Sequence, residues 1–140
     1  MILYLDTSAL VKAYVEEQHC DSVRRWVDAA AVVATSVVAY PEAAAAFARK
    51  SREGGIGKDT LDRVLAALER DWADYAVLEV QERAAGALAV KHALRGFDAV
   101  HLSAALALQA DAPEGTVAFC AFDERLMRAA AAEGLTTLEP

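Results

Sequence analysis

Four carboxylates stand out for where they fall along the chain. Asp6 directly follows the apolar run Ile2–Leu5, and Glu42 comes soon after a second run at 32–35, behind Pro41. Asp123 comes soon after a third run at 116–120, and Asp98 opens a helical pattern in LRGFDAVHLSAAL. Acids at or near element starts can be gathered on one edge of a parallel sheet, where open α/β sheets place their ligand crevices. Each has a plainer role as well. Asp6 and Asp98 suit helix N-caps, and Glu42 is a favourable acid in a first helical turn. Collected in one pocket, the four would raise one another's pKa values unless a cation neutralised them. An all-carboxylate set suits Mg²⁺ or Mn²⁺, whereas Zn²⁺ would want His or Cys. Metal-assisted phosphodiester chemistry is the leading reading.

The elements that must position these acids alternate between strand and helix. Strand 2–5 leads into helix 7–15, and Asp21 or Ser22 caps a second helix on which Val23, Trp26, Val27 and Ala30 keep helical spacing. Strand 32–35 is followed by a helix capped by Ser36 and carrying Glu42. Glu53-Gly54-Gly55-Ile56-Gly57 breaks the chain. An amphipathic helix then resumes with the stripe Leu61, Val64, Leu65, Leu68 and Trp72. Strand 76–80 and helix 81–93 come next, then a helix from the Gly96-Phe97-Asp98 turn to about residue 110. After a surface loop at 111–115 come strand 116–120, helix 124–132 closed by Gly134, and a short strand at 135–138. Such alternation reads as a parallel α/β sheet.

Composition narrows the function classes. The chain has 140 residues, is 56% hydrophobic and carries a net charge of −7, enough apolar content for one domain with a real core. Without the four acids, 14 basic residues face 17 acidic ones, so the candidate site accounts for more than half of the imbalance. An acidic chain argues against broad duplex binding, which rests on neutralising phosphates. Cys20 and Cys120 form no metal-ligand or CxxC pattern and read as buried small hydrophobes in a reducing compartment. No signal peptide or membrane span is expected, which gives a soluble, cytoplasmic protein.

Through LDTSALVKAYV, YPEAAAAFAR, LRGFDAVHLSAAL and AFDERLMRAAAAEGL, in that order, the chain resembles the PIN-domain nucleases. Within them it is similar to the VapC-type toxins of bacterial toxin–antitoxin pairs. The resemblance covers essentially the whole chain. It implies a PIN-like three-layer α/β/α fold, with a central, mainly parallel sheet and a projecting helical hairpin, in a single domain at 1–140. It further implies an endoribonuclease in which Asp6, Glu42, Asp98 and Asp123 hold one or two Mg²⁺ or Mn²⁺ ions, and a water activated by the ion attacks phosphorus in line. Homodimers, an RNA substrate and a cognate antitoxin whose C-terminal arm blocks the pocket belong to the same implication. An RNA-processing PIN nuclease without an antitoxin, or a non-catalytic metal- or RNA-binding module, would show the same residues. A haloacid-dehalogenase-type phosphatase would need a second acid two residues after Asp6, where Ser8 stands. The family often carries Thr or Ser two residues before its last acid, and here that residue is Ala121.

Other residues are candidates in supporting roles. Thr7 and Ser8 suit either capping or a hydroxyl behind the metal ligands. His101 shares a helix face with Asp98 and reads as a hydrogen-bonded core histidine rather than a general base. Arg49, Lys50, Arg52 and Lys58, flanking the glycine break, and Arg95, just before Asp98, are candidates for RNA-backbone contact. Phe47, Trp72 and Tyr75 read as core, and His19 and His92 as surface.

Overall fold

Ile2–Leu5 forms β1, and the rest of the chain is arranged about it in the computed structural model, which describes residues 1–140. β2 (Val32–Ser36) and β4 (Val117–Cys120) flank β1, with β3 (Ala76–Leu78) beyond β2 and β5 (Thr136–Thr137) beyond β4. Every pairing is parallel; Leu3 stands opposite both Val33 and Ala118. A parallel sheet is covered on both faces, so its central strands are unbroken apolar runs rather than alternating ones. On one face Tyr4 and Phe119 pack with Leu102 and Leu126; on the other Leu3 and Leu5 pack with Leu10, Phe47 and Leu68. All nine are fully buried.

Helices α1 (Thr7–Tyr14), α2 (Cys20–Ala29), α3 (Ala39–Arg52) and α4 (Lys58–Trp72) build the Leu3 side. Helices α5 (Glu82–His92), α6 (Gly96–Asp111) and α7 (Glu124–Ala132) build the Tyr4 side. The result is the expected three-layer α/β/α fold. From β1 the chain runs outward through β2 and β3, then returns to add β4 on the opposite side of β1. That reversal opens a crevice beyond the carboxyl ends of β1 and β4.

The α3–α4 hairpin is packed along its inner face, where Val64 and Leu68 are buried and Leu61, Leu65 and Trp72 lie against the same core. Its tip turns through Gly54 at φ +78°, a conformation that costs glycine nothing. Phe47 is fully buried, while Trp72 and Tyr75 are half-buried at the edge of that core.

Several helix starts differ from expectation. α2 begins at Cys20, because His19 turns the chain at φ 70°, so Asp21 lies in the first turn and caps nothing. Ser36 ends β2; its Oγ accepts from the Val38 N–H at 3.4 Å, and α3 starts later, at Ala39. α6 starts at Gly96, which puts Asp98 inside the first turn rather than at the cap. His92 is half-buried rather than on the surface, its Nε2 2.6 Å from Glu133. Both cysteines are buried and unpaired, and burial, with the nearby Asp6 charge, pushes the Cys120 thiol up to about 12. No helix is long and apolar enough to cross a membrane.

Candidate active site

The four acids arrive at one cleft by two devices. Asp6 and Asp123 follow the neighbouring strands β1 and β4, and each N-caps the next helix: Oδ1 of Asp6 accepts from the Ala9 N–H, and Oδ1 of Asp123 from the Leu126 N–H, both at 2.9 Å. Capping fixes one oxygen of each carboxylate to a rigid backbone, so cap and site roles coexist here. Glu42 and Asp98 lie in the first turns of α3 and α6. All four line a cleft of about 660 Å³, together with Thr7, Ser8 and His101.

Asp6 is 4% exposed. Burial pushes its carboxyl above the usual range; hydrogen bonds from Ser8 and Ala9 pull it down, and Asp98 adds to the rise. Ser8 serves two masters, donating to Asp6 at 2.7 Å and accepting from the Phe122 N–H at 3.1 Å. It therefore ties the carboxylate after β1 to the loop after β4.

A second chain of hydrogen bonds fixes Glu42. Thr7 Oγ1 donates to Glu42 Oε1 at 2.7 Å, and His101 Nε2 lies 3.0 Å from the same Thr7 oxygen. A hydroxyl has one hydrogen, and Thr7 gives its hydrogen to Glu42. His101 must then donate from Nε2, leaving Nδ1 of the neutral ring to accept from the Tyr4 hydroxyl 2.9 Å away. Burial, reinforced by the charges of Asp6 and Glu42, raises the Tyr4 pKa and keeps that phenol protonated and donating. Every member thus points its hydrogen toward Glu42. Burial alone would raise the Glu42 carboxyl, but hydrogen bonds from His101 and Thr7, with the charge of Arg95, hold it below its usual value.

Arg95 sits among the remaining acids, with Nε 2.9 Å from Asp98 Oδ2 and Nη2 3.8 Å from Asp123 Oδ2. No three acidic, histidine or cysteine side chains stand close enough together to hold one ion between them. The donor chemistry nevertheless fits a hard divalent cation. Apart from one imidazole, the side chains lining the cleft that could ligate a cation offer carboxylate and hydroxyl oxygens, and that imidazole is committed to Thr7 and Tyr4. Residues 3–132 match the PIN domain family.

The chain belongs to that family. It is 40% identical over 114 residues to Ribonuclease VapC49 of Mycobacterium tuberculosis, covering 76% of each chain, which places it with the VapC proteins. Among solved structures, PAE2754 from Pyrobaculum aerophilum superposes with a TM-score of 0.71 at 17% identity, covering 98% of this chain and 89% of that one. Mycobacterium tuberculosis VapC20, described as a sarcin-ricin loop cleaving toxin, superposes with a TM-score of 0.61 at 18% identity over 99% of each chain. At those identities the two superpositions speak to the PIN fold alone.

Of the basic residues singled out in the sequence, Arg49, Lys50 and Arg95 line the cleft of this PIN domain. Arg52 and Lys58 do not: both are exposed, and Lys58 pairs with Asp62 one turn along its own helix. The hairpin tip carries them past the cleft. Sequence reasoning missed Lys12, Glu17 and Phe122, which also line it. Lys12 stands four residues after Ser8, on the same face of α1, and that spacing was the available signal. Glu17, in an irregular stretch, gave none.

Proposed function

We propose that this chain is a metal-dependent endoribonuclease, the toxin of a toxin–antitoxin pair, acting as one domain over residues 1–140. The observation that carries the reading is the convergence of Asp6, Glu42, Asp98 and Asp123 on one cleft at the sheet's switch point. Kinship with a protein named as a ribonuclease supports RNA as substrate.

Asp6, Glu42, Asp98 and Asp123 would hold Mg²⁺ or Mn²⁺, and Thr7 and Ser8 would steady two of them from behind. The bound cation supplies an activated water and charge stabilisation at the phosphate. The rest falls to the protein. The caps on Asp6 and Asp123 hold two carboxylates without the entropy of free side chains. The Tyr4–His101–Thr7 chain fixes Glu42, and Asp6, disfavoured as a bare anion by burial, gains most from a neighbouring positive charge. Arg95 is well placed to leave the acids for an incoming phosphate, with Arg49 and Lys50 offsetting the repulsion between RNA and an acidic cleft. The same cleft suits a basic side chain of a cognate antitoxin. Homodimers in the cytoplasm complete the reading.

The test is cleavage of structured RNAs and single-stranded DNA by purified protein with Mn²⁺, Mg²⁺ or EDTA, beside Asp6→Asn and Asp98→Asn. Metal-dependent RNA cutting lost in both variants is the expected result. Undiminished cutting by folded Asp6→Asn, or cutting in EDTA, would overturn the mechanism.

A further inference from the structure

Beside the four acids, three elements bring together a cluster that the acidic chemistry does not use. Lys12 comes from the last turn of α1, Lys50 from the last turn of α3, and Glu17 from the stretch between α1 and α2. Lys12 Nζ lies 3.0 Å from Glu17 Oε1, and Lys50 Nζ lies 2.6 Å from Glu17 Oε2. One carboxylate thus holds two ammonium groups, one on each oxygen. The group is sheltered, with side chains 13%, 22% and 32% exposed for Lys12, Glu17 and Lys50. All three line the cleft that holds the acids. Lys12 Nζ also rests 4.7 Å from the centre of the Phe122 ring, on which His19 stacks, and Phe122 immediately precedes Asp123.

Two sheltered ammonium groups repel unless an anion lies between them. A carboxylate meets that need with one negative charge spread over two oxygens. A phosphodiester presents the same pattern through its two unesterified oxygens. Burial alone would raise the Glu17 carboxyl, and the hydrogen bonds and charges of Lys50 and Lys12 hold it below its usual value, so it stays anionic. A polyanion that threads this cleft past four carboxylates needs compensating positive charge, and this lysine pair is the sheltered source of it.

We propose that Lys12 and Lys50 form a binding site for an RNA backbone phosphate neighbouring the one that is cut, and that Glu17 occupies this site in the free protein as an internal stand-in. The site reads charge and two-oxygen geometry, not base or sugar. It rests on the ribonuclease reading above. Glu17 therefore competes with substrate and weakens binding, opposite to the effect of a residue that merely braces the two lysines.

The experiment measures equilibrium binding of a short labelled oligouridylate, and of single-stranded DNA of equal length, across a salt series. Asp6→Asn in EDTA serves as background so that no strand is cut, and native protein with Mn²⁺ is assayed for RNA cleavage in parallel. Adding Glu17→Gln should tighten binding of both strands by roughly tenfold or more, one charge-assisted contact being recovered. The salt dependence should steepen by about 0.7 in log–log slope, as for one more neutralised phosphate on a single strand. Adding Lys12→Ala should cancel the gain. Should Glu17→Gln fail to fold, Lys50→Ala asks the same of the pair and should weaken binding and flatten the slope by a similar amount. Native cleavage of RNA together with equal or weaker binding by Glu17→Gln overturns this inference alone. A gain confined to RNA also overturns it. Failure of every protein to bind or cut RNA overturns it together with the ribonuclease reading.

Discussion

Replacing Tyr4 with Phe removes one oxygen from the middle of the protein, and its effects follow from the hydrogen-bond chain. The ring remains and continues to stack on Phe119, at 5.6 Å between centroids, so the change leaves no large cavity. What is lost is the donor to His101 Nδ1, on a histidine only 2% exposed. A buried acceptor left unpaired costs about 1–3 kcal/mol. With 140 residues the unfolding entropy is about 0.3 kcal/mol per degree, so the melting temperature should fall by about 3–10 °C. The functional effect is separate. Without the Tyr4 hydroxyl the imidazole loses one of the two partners that keep its proton on Nε2, and Thr7 and Glu42 are held less firmly in orientation. Disturbing groups behind a metal ligand typically costs about 10–100-fold in activity or metal affinity. Cleavage at saturating Mn²⁺, a melt of the metal-free protein and nitrogen-15 histidine spectra would read all three consequences. The spectra should show hydrogen on Nε2 in the native protein and a mixture in Tyr4→Phe. A variant that melts and cleaves like the native protein would refute the reasoning.

The remaining predictions concern the acids, the arginine between them and the core beneath. Because burial raises the Asp6 pKa in the fold, the folded state holds its proton to higher pH than the unfolded state, and stability falls as pH rises from the ordinary aspartate range through the raised value. In EDTA, Asp6→Asn should therefore melt a few degrees higher than native protein at neutral pH and level with it in acid; equal melts at both would contradict the burial argument. Arg95→Ala frees Asp98 and Asp123 from a competing cation and should bind Mn²⁺ severalfold more tightly by calorimetry; weaker binding would show the arginine to be an ally of the site. Phe47→Ala, at a fully buried ring, should lose about 3–5 kcal/mol, and a melting temperature lowered by only a degree or two would show the core relaxing around the gap.

Chain order and the four acids were legible because both are local signals. An apolar run followed at once by Asp and a helical pattern specifies a strand end and a cap together, and the structure repeats that device at Asp6 and Asp123. Helix starts were less legible where backbone conformation replaces side-chain capping. α2 opens on a left-handed His19 and α6 on Arg95, neither making a side-chain cap bond. The grouping of basic residues around the glycine break overreached, because nearness in sequence at a hairpin tip says little about which side chains turn back toward a cleft. Arg49 and Lys50 do; Arg52 and Lys58 do not. Glu17 and Tyr4 were illegible for a deeper reason. The second lysine on Glu17 and the histidine beside Tyr4 lie 33 and 97 residues away, and only the packed fold brings them within reach.

The position of β4 beside β1 has a consequence for the making of the protein. Ile2 pairs with Val117, and Asp6 donates its backbone N–H to the Cys120 carbonyl. Ribosomes deliver the amino end first, so Asp6 emerges early but has neither its neighbouring strand nor Asp123 beside it until nearly nine-tenths of these residues have been joined. For a chain that cuts RNA, the delay matters. A site built from both carboxylates is complete only once β4 has emerged and paired with β1.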